Sequence, residues 1–217
     1  MRVDLRLYAI VDPEVSGGHD LVALSRQLAA GGATLVQLRD KLSDTRAFIE
    51  RARAIKAALG QVPLLINDRV DVALAIGADG VHIGQEDMTA QDARRLLPPG
   101  AIVGLTINSV ALADTAPIEL IDYAGVGGVF GTTSKTQKRQ PIGPAGLRAV
   151  TEALRRRQPG FLVCGIAGIN AGNAAAVIAA GADGVSVISA LSVTPDPTKA
   201  ARELRGVVDR ALAARAR

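Results

Sequence analysis

Tryptophan is absent from the 217 residues, and aromatic side chains make up only 2% of them. Hydrophobic residues still reach 48%, so a sizeable core has to be built from Val, Ile, Leu and Ala. Such side chains suit strands buried on both faces, with Ala-rich helices packed around them. Cys164 is the sole cysteine, which excludes an intramolecular disulfide and a thiolate zinc cluster. It lies in the apolar run from Phe161 to Cys164 and reads as an inert buried thiol. There is no signal-peptide pattern and no apolar run long enough to span a bilayer. A soluble cytoplasmic protein without a membrane partner is therefore expected. The net charge is +4 and the pI near 9.6. Much of the excess sits in Arg155–Arg157 and in Arg202, Arg205, Arg210, Arg215 and Arg217, which suit solvated helix faces. No aromatic residues interleave these cations to stack on bases, so nucleic acid is not an expected partner. Nor does a Ser/His/Asp constellation offer a protein nucleophile.

Short β-rich runs alternate with amphipathic or Ala-rich stretches from end to end. Strands are predicted at Leu5–Val11, Thr34–Leu38, Pro63–Ile66, Gly80–Ile83, Ile102–Leu105, Tyr123–Val126, Phe161–Gly165 and Gly184–Ile188. Helices are predicted at about 20–30, 44–59, 69–76, 90–97, 109–115, 144–157, 171–180 and 197–214. This alternation implies a parallel sheet. GGATLVQLR (31–39), GADGVHIG (77–84) and GADGVSVIS (181–189) echo one another, and IDYAGVG (121–127) resembles them. The first three open on a glycine where a helix would end in a left-handed cap. Because the echo falls on the even-numbered strands, the fold predicted for residues 1–217 is one (β/α)8 TIM barrel. A doubly wound open sheet is the alternative.

In such barrels chemistry sits at the C-terminal ends of the strands. After the second strand comes Gln37-Leu38-Arg39-Asp40-Lys41; alternation sends Gln37, Arg39 and Lys41 to one side and Leu38 and Asp40 to the other. Two cations and an amide on the inner face call for an anion, either a ligand or an acid on a neighbouring strand. After the third strand, Asn67 and Asp68 offer a helix N-cap or, with Asp87 after the fourth, oxygen ligands for magnesium beside substrate phosphate. His82 reads as a packed or hydrogen-bonded core residue more readily than as a metal ligand. Thr106 closes the fifth strand with a hydroxyl.

The sixth strand runs into GVGGVFGTTSK (125–135). Phe130 occupies the third glycine position of a dinucleotide fingerprint, no helix follows directly, and the order of a Walker A loop is absent. What remains is Thr132, Thr133, Ser134 and Lys135 on a Gly-rich loop, read as a basic cover over an anionic substrate within a long segment from Gly127 to Gly143. After the seventh and eighth strands come Ala167-Gly168-Ile169-Asn170 and Ile188-Ser189-Ala190, where backbone N–H groups commonly take a monophosphate.

QLRDK (37–41), LINDR (65–69), GADGVHIGQEDM (77–88), GVGGVFGTTSK (125–135), AGI (167–169) and GADGVSVIS (181–189), in that order, resemble the thiamine-phosphate synthase family along most of the chain. The resemblance implies a Mg2+-assisted, dissociative transferase. It would join 4-amino-2-methyl-5-hydroxymethylpyrimidine diphosphate to hydroxyethylthiazole phosphate, giving thiamine phosphate and pyrophosphate. It further implies that Gln37, Leu38, Arg39, Asp40, Lys41, Asn67, Thr106 and Lys135 bind the pyrimidine diphosphate. Of these, Arg39, Lys41, Thr106 and Lys135 would serve the chemical step. Asp68 and Asp87 would hold magnesium, and Thr132, Thr133, Ser134, Gly168, Ile188 and Ser189 would bind the thiazole phosphate.

Departures from the commonest family pattern are mild. Asp40 stands for Glu, Thr106 for Ser, Ser134 for Thr, and Ala167 for a glycine, which bears on the local backbone. Gly128 and Gly131 stand for prolines, which should loosen their loop. The rival readings are a related thiazole tautomerase, a class I aldolase-like barrel with a Schiff base on Lys41, and a non-catalytic barrel that binds thiazole phosphate. The tautomerase uses a His after the sixth strand, where this chain has Gly127-Gly128.

Overall fold

The predicted strands close on themselves. In a computed structural model, which describes residues 3–132 and 140–216, eight parallel strands form a barrel in sequence order: β1 (Leu7–Val11), β2 (Leu35–Leu38), β3 (Leu64–Asn67), β4 (Gly80–Ile83), β5 (Ile102–Thr106), β6 (Tyr123–Val126), β7 (Leu162–Ile166) and β8 (Gly184–Val187). β8 completes the ring by pairing with β1, Tyr8 lying in register with Ser186. Helices α1 (Leu21–Ala30), α2 (Thr45–Leu59), α3 (Val70–Ile76), α4 (Ala90–Leu96), α5 (Val110–Thr115), α6 (Gly143–Arg157), α7 (Ala174–Ala179) and α9 (Pro197–Arg215) follow the strands, with a short α8 (Ser189–Ser192) inserted after β8. This is a (β/α)8 barrel, and no helix among the described residues is long and apolar enough to cross a membrane.

Strict alternation along each strand divides the core in two. Val36, Leu38, Leu64, Ile66, Val81, Val103, Val163 and Val185 point outward and belong to the layer between barrel and helices. Leu5, Tyr8, Leu35, Leu65, Ile102, Tyr123, Cys164 and Ile166 fill the interior. Aromatic bulk inside the ring needs space on neighbouring strands. A Cβ on Gly104 would come within 2.1 Å of the Tyr123 ring, and one on Gly125 within 2.8 Å of His82. Burial pushes the Cys164 thiol well above its ordinary pKa, in keeping with an inert packing role.

The echo on the even strands has a physical origin. The residue just before each even strand accepts a hydrogen bond from a backbone N–H of the preceding odd strand or of its first residues. Leu7 N donates to Thr34 Oγ1 at 3.0 Å and Leu64 N to Asp79 Oδ2 at 2.8 Å. Val103 N donates to Asp122 Oδ2 at 2.7 Å and Val163 N to Asp183 Oδ2 at 2.9 Å. Each side chain thus stitches an odd–even pair at the end of the barrel away from the βα loops. The glycine caps hold with one shift. Gly77 (φ +61°) and Gly181 (φ +111°) are left-handed, but in the first echo Gly31 stays right-handed at φ −78° and Gly32 turns at φ +102°.

Two elements escaped the sequence reading: a 3-10 turn at Pro13–Val15 and α8, both too short to show periodicity. The predicted helix at 171–180 starts later, at Ala174. The preceding residues close a polar turn in which Gly172 N donates to Asn170 Oδ1 and Asn170 N to Asn173 Oδ1, each at 2.8 Å.

Candidate active site

The inward residues at the C-terminal ends of the strands enclose a cavity of about 220 Å³. Gln37, Arg39 and Lys41 reach it from β2 and the loop beyond, Asn67 and Asp68 from β3, His82 from β4 and Thr106 from β5. Ile10, Ile166 and Ile169 give it an apolar flank, while Ser186, Ile188 and Ser189 contribute from β8 and the start of α8.

Beneath it runs a buried hydrogen-bonded relay. Gln37 Nε2 donates to the Tyr8 hydroxyl, and the Tyr123 hydroxyl lies 3.0 Å from that of Tyr8. His82 Nδ1 stands 2.8 Å from Tyr123 Oη, and His82 Nε2 2.9 Å from Thr106 Oγ1. His82 stacks on Tyr123 with ring centroids 5.6 Å apart, and Tyr8 meets Tyr123 edge-on at 5.9 Å. Five residues on five strands are thereby fixed relative to one another. Burial pushes the pKa of both phenols well up, so the relay is made of neutral hydroxyls.

Both expected cations meet acids. Arg39 pairs with Asp12, whose side chain is fully buried just past β1 and also accepts from Glu14 N at 2.9 Å. Lys41 pairs with Asp68. The structural ion-pair alternative is thus realised for each, yet both side chains still line the cavity. Asp68 does not cap α3: the N-cap is Arg69, with no side-chain cap bond. Instead Asp68 adopts φ +60°, its N–H donates to His82 O at 2.9 Å, and its Oδ2 accepts from Asn67 Nδ2 at 2.7 Å. Burial, followed by hydrogen bonding with Asp87 and repulsion from it, raises the Asp68 pKa; Lys41 only partly offsets this.

Asp87 is exposed on the rim, its Oδ2 accepting from Gly84 N at 2.7 Å. Two carboxylates drawn together at a cavity edge, with Lys41 cancelling only part of their repulsion, fit a divalent cation that takes oxygen ligands. Among the described residues no group of three or more His, Cys, Asp or Glu forms a metal cluster. A two-carboxylate set suits magnesium, which completes its shell with water and phosphate.

Across the cavity, Ala167 (φ +86°) and Gly168 (φ +64°) carry the chain past β7 in left-handed conformations. Ala167 thus occupies a backbone state that favours glycine. Gly168 is required twice over, since a Cβ there would meet Gly131 O at 2.3 Å. A second, shallower hollow shares Thr132, Gly168, Ile169 and Ser189 with the main cavity and adds Gly131, Asn170 and Ala190. Gly128 takes φ +75°, closed to proline, and its carbonyl accepts from Ile142 N at 2.9 Å. Gly143 N donates to Val129 O at 3.0 Å. The described ends of the loop from Gly127 to Gly143 are therefore tied together.

Of the residues singled out from sequence, Gln37, Arg39, Lys41, Asn67, Asp68, Thr106, Thr132, Gly168, Ile188 and Ser189 converge on the main cavity. Leu38 and Asp40 do not line it. Leu38 is buried in the outer core layer, and Asp40 turns away to bind Arg51 and the N–H groups of Leu42 and Ser43. Thr133, Ser134 and Lys135 lie outside the described residues. Sequence reasoning missed Asp12, Tyr8, Tyr123 and Ser186. Asp12 carried a signal, an acid at a strand end, whereas the tyrosines read simply as apolar strand positions.

A family model described as thiamine monophosphate synthase matches residues 7–191. The chain is 48% identical to a thiamine-phosphate synthase of Agrobacterium fabrum, with 99% of this chain and 98% of the relative covered. It is 46% identical to one of Moorella thermoacetica, covering 94% and 96%. Among solved structures, thiamine phosphate pyrophosphorylase from Pyrococcus furiosus superposes with a TM-score of 0.85 at 36% identity, covering 97% of this chain and 98% of that one.

Proposed function

This chain belongs to the thiamine monophosphate synthase family, and from that premise we propose that it condenses 4-amino-2-methyl-5-hydroxymethylpyrimidine diphosphate with hydroxyethylthiazole phosphate to form thiamine phosphate and pyrophosphate. The observation that carries the proposal is the gathering, around one cavity, of a basic and acidic rim on β2 to β4 and a backbone-rich rim after β7 and β8. Two anionic ligands entering from opposite rims would bring their rings together in the apolar-flanked centre.

On this reading Arg39 and Lys41 bind the diphosphate and stabilise the negative charge that grows as the C–O bond to the leaving group lengthens. Asp68 and Asp87 would hold Mg2+, which when bound neutralises pyrophosphate oxygens. Lys41, paired with Asp68, would be available to a phosphate oxygen where those carboxylates face another cation. The electron-rich aminopyrimidine supports a methylene cation, so no protein nucleophile is needed. The chain's task is to hold the thiazole nitrogen in line with that carbon and to keep water away. Gly168, Ile188, Ser189 and the start of α8 would take the thiazole phosphate through backbone N–H groups. Thr133, Ser134 and Lys135 belong to the same proposal as phosphate ligands. The cytoplasm is its proposed compartment, since two multiply charged substrates do not cross a lipid bilayer unaided.

Incubating the protein with both phosphorylated substrates, with and without Mg2+, tests the reading. Metal-dependent formation of thiamine phosphate and pyrophosphate in equal amounts is expected. Consumption of neither substrate would refute it, as would rearrangement of the thiazole phosphate alone.

A further inference from the structure

Ser186 is 2% exposed, lines the cavity, and carries a hydroxyl with no hydrogen-bond partner among the described residues. Burying such a group unpaired is unfavourable, and an alanine would fill the same space without that cost. Its strand neighbours do not relieve it. Tyr8, in register on β1, engages Gln37 and Tyr123, and Ile166, in register on β7, is apolar. The hydroxyl is left unpaired on a residue of the cavity wall.

The depth of Ser186 identifies the ligand atom it serves. It lies two residues before Ile188, about 6 Å further down the strand than the mouth where the phosphates would sit. At that level stand Gln37, which commits an amide N–H to Tyr8 and retains its carbonyl oxygen, and His82. A ligand part able to use these groups would need several hydrogen-bonding edge atoms. Resting on the function proposed above, the choice is between two rings. The aminopyrimidine has two ring nitrogens and an exocyclic amine. The thiazole has one ring nitrogen, the nucleophile, whose lone pair a donor would block. We propose that the Ser186 hydroxyl donates to a ring nitrogen of the aminopyrimidine and is a recognition residue for that substrate.

Steady-state kinetics of Ser186→Ala, with each substrate varied in turn, test this. The KM for the pyrimidine diphosphate should rise about tenfold, as loss of one buried hydrogen bond implies, and that for the thiazole phosphate should stay constant. The melting temperature of the ligand-free variant should equal or exceed that of the natural chain, because no internal bond is lost. Ser186→Cys, nearly isosteric but a weak donor, should show a smaller rise in the same KM. An unchanged pyrimidine KM in Ser186→Ala, or a change confined to the thiazole phosphate, overturns the assignment. If the natural chain itself makes no thiamine phosphate, the proposed function fails; if it does while Ser186→Ala matches it, only the role of Ser186 falls.

Discussion

His82 bridges Thr106 and Tyr123, with Nε2 2.9 Å from the threonine hydroxyl and Nδ1 2.8 Å from the phenol. One imidazole thereby ties a residue of the cavity wall to a hydroxyl that no ligand reaches, and through Tyr8 to Gln37 on the far side of the barrel.

Tyr123→Phe should therefore act at a distance. Removing the hydroxyl takes one hydrogen bond each from His82 and Tyr8 in a dry interior, at a cost of about 1–3 kcal/mol. For a chain of this length that lowers the melting temperature by roughly 2–4 °C per kcal/mol. The kcat/KM should fall several-fold as Thr106 and Gln37 lose their fixed orientation. A variant that melts and turns over like the natural chain would show that the relay positions nothing.

Asp40 predicts a pH dependence. Burial alone would raise its pKa, but the N–H groups of Ser43 and Leu42, the Ser43 hydroxyl and the Arg51 charge outweigh burial and hold it below the ordinary value. A depressed folded pKa contributes stability that is present above the unfolded value near 3.9 and is lost as pH falls through the folded one. Asp40→Asn should lower the urea midpoint at neutral pH and flatten the loss of stability below about pH 4. An acid limb identical in both proteins would remove Asp40 as its source.

Ala167→Gly should stabilise. A left-handed backbone costs a non-glycine residue about 1–2 kcal/mol, and the added freedom of glycine in the unfolded chain takes back about 0.4–1 kcal/mol. The net gain of roughly 0.5–1 kcal/mol should appear as a higher urea midpoint at unchanged slope. A lower midpoint would mean that the Ala167 methyl packs favourably enough to outweigh its strain.

The barrel was legible because its punctuation is chemical. Gly77 and Gly181 end helices in a conformation other residues resist, and Asp79, Asp122 and Asp183 recur before even strands because each accepts a backbone N–H at the same place in the ring. The cavity rim was legible for a similar reason, since Arg39, Asp68 and Thr106 stand at strand ends. The interior was not. Tyr8 and Tyr123 are 115 residues apart, and alternation marks each only as inward-facing. Their hydroxyl contact depends on ring closure, and so does the place of Ser186 in the cavity wall. Leu38 and Asp40 came in with a contiguous motif, but alternation turns their side chains outward.

The dependence of thiamine phosphate formation on Mg2+ concentration, in the natural chain and in Asp87→Ala, tests most directly whether the paired carboxylates work through a metal at the leaving group. The account predicts that the half-saturating Mg2+ concentration rises at least about tenfold in the variant, since even a supporting residue of a metal site is worth that much. The KM for the thiazole phosphate should not move, and the exposed position of Asp87 should leave the fold intact. Superimposable Mg2+ curves would contradict it.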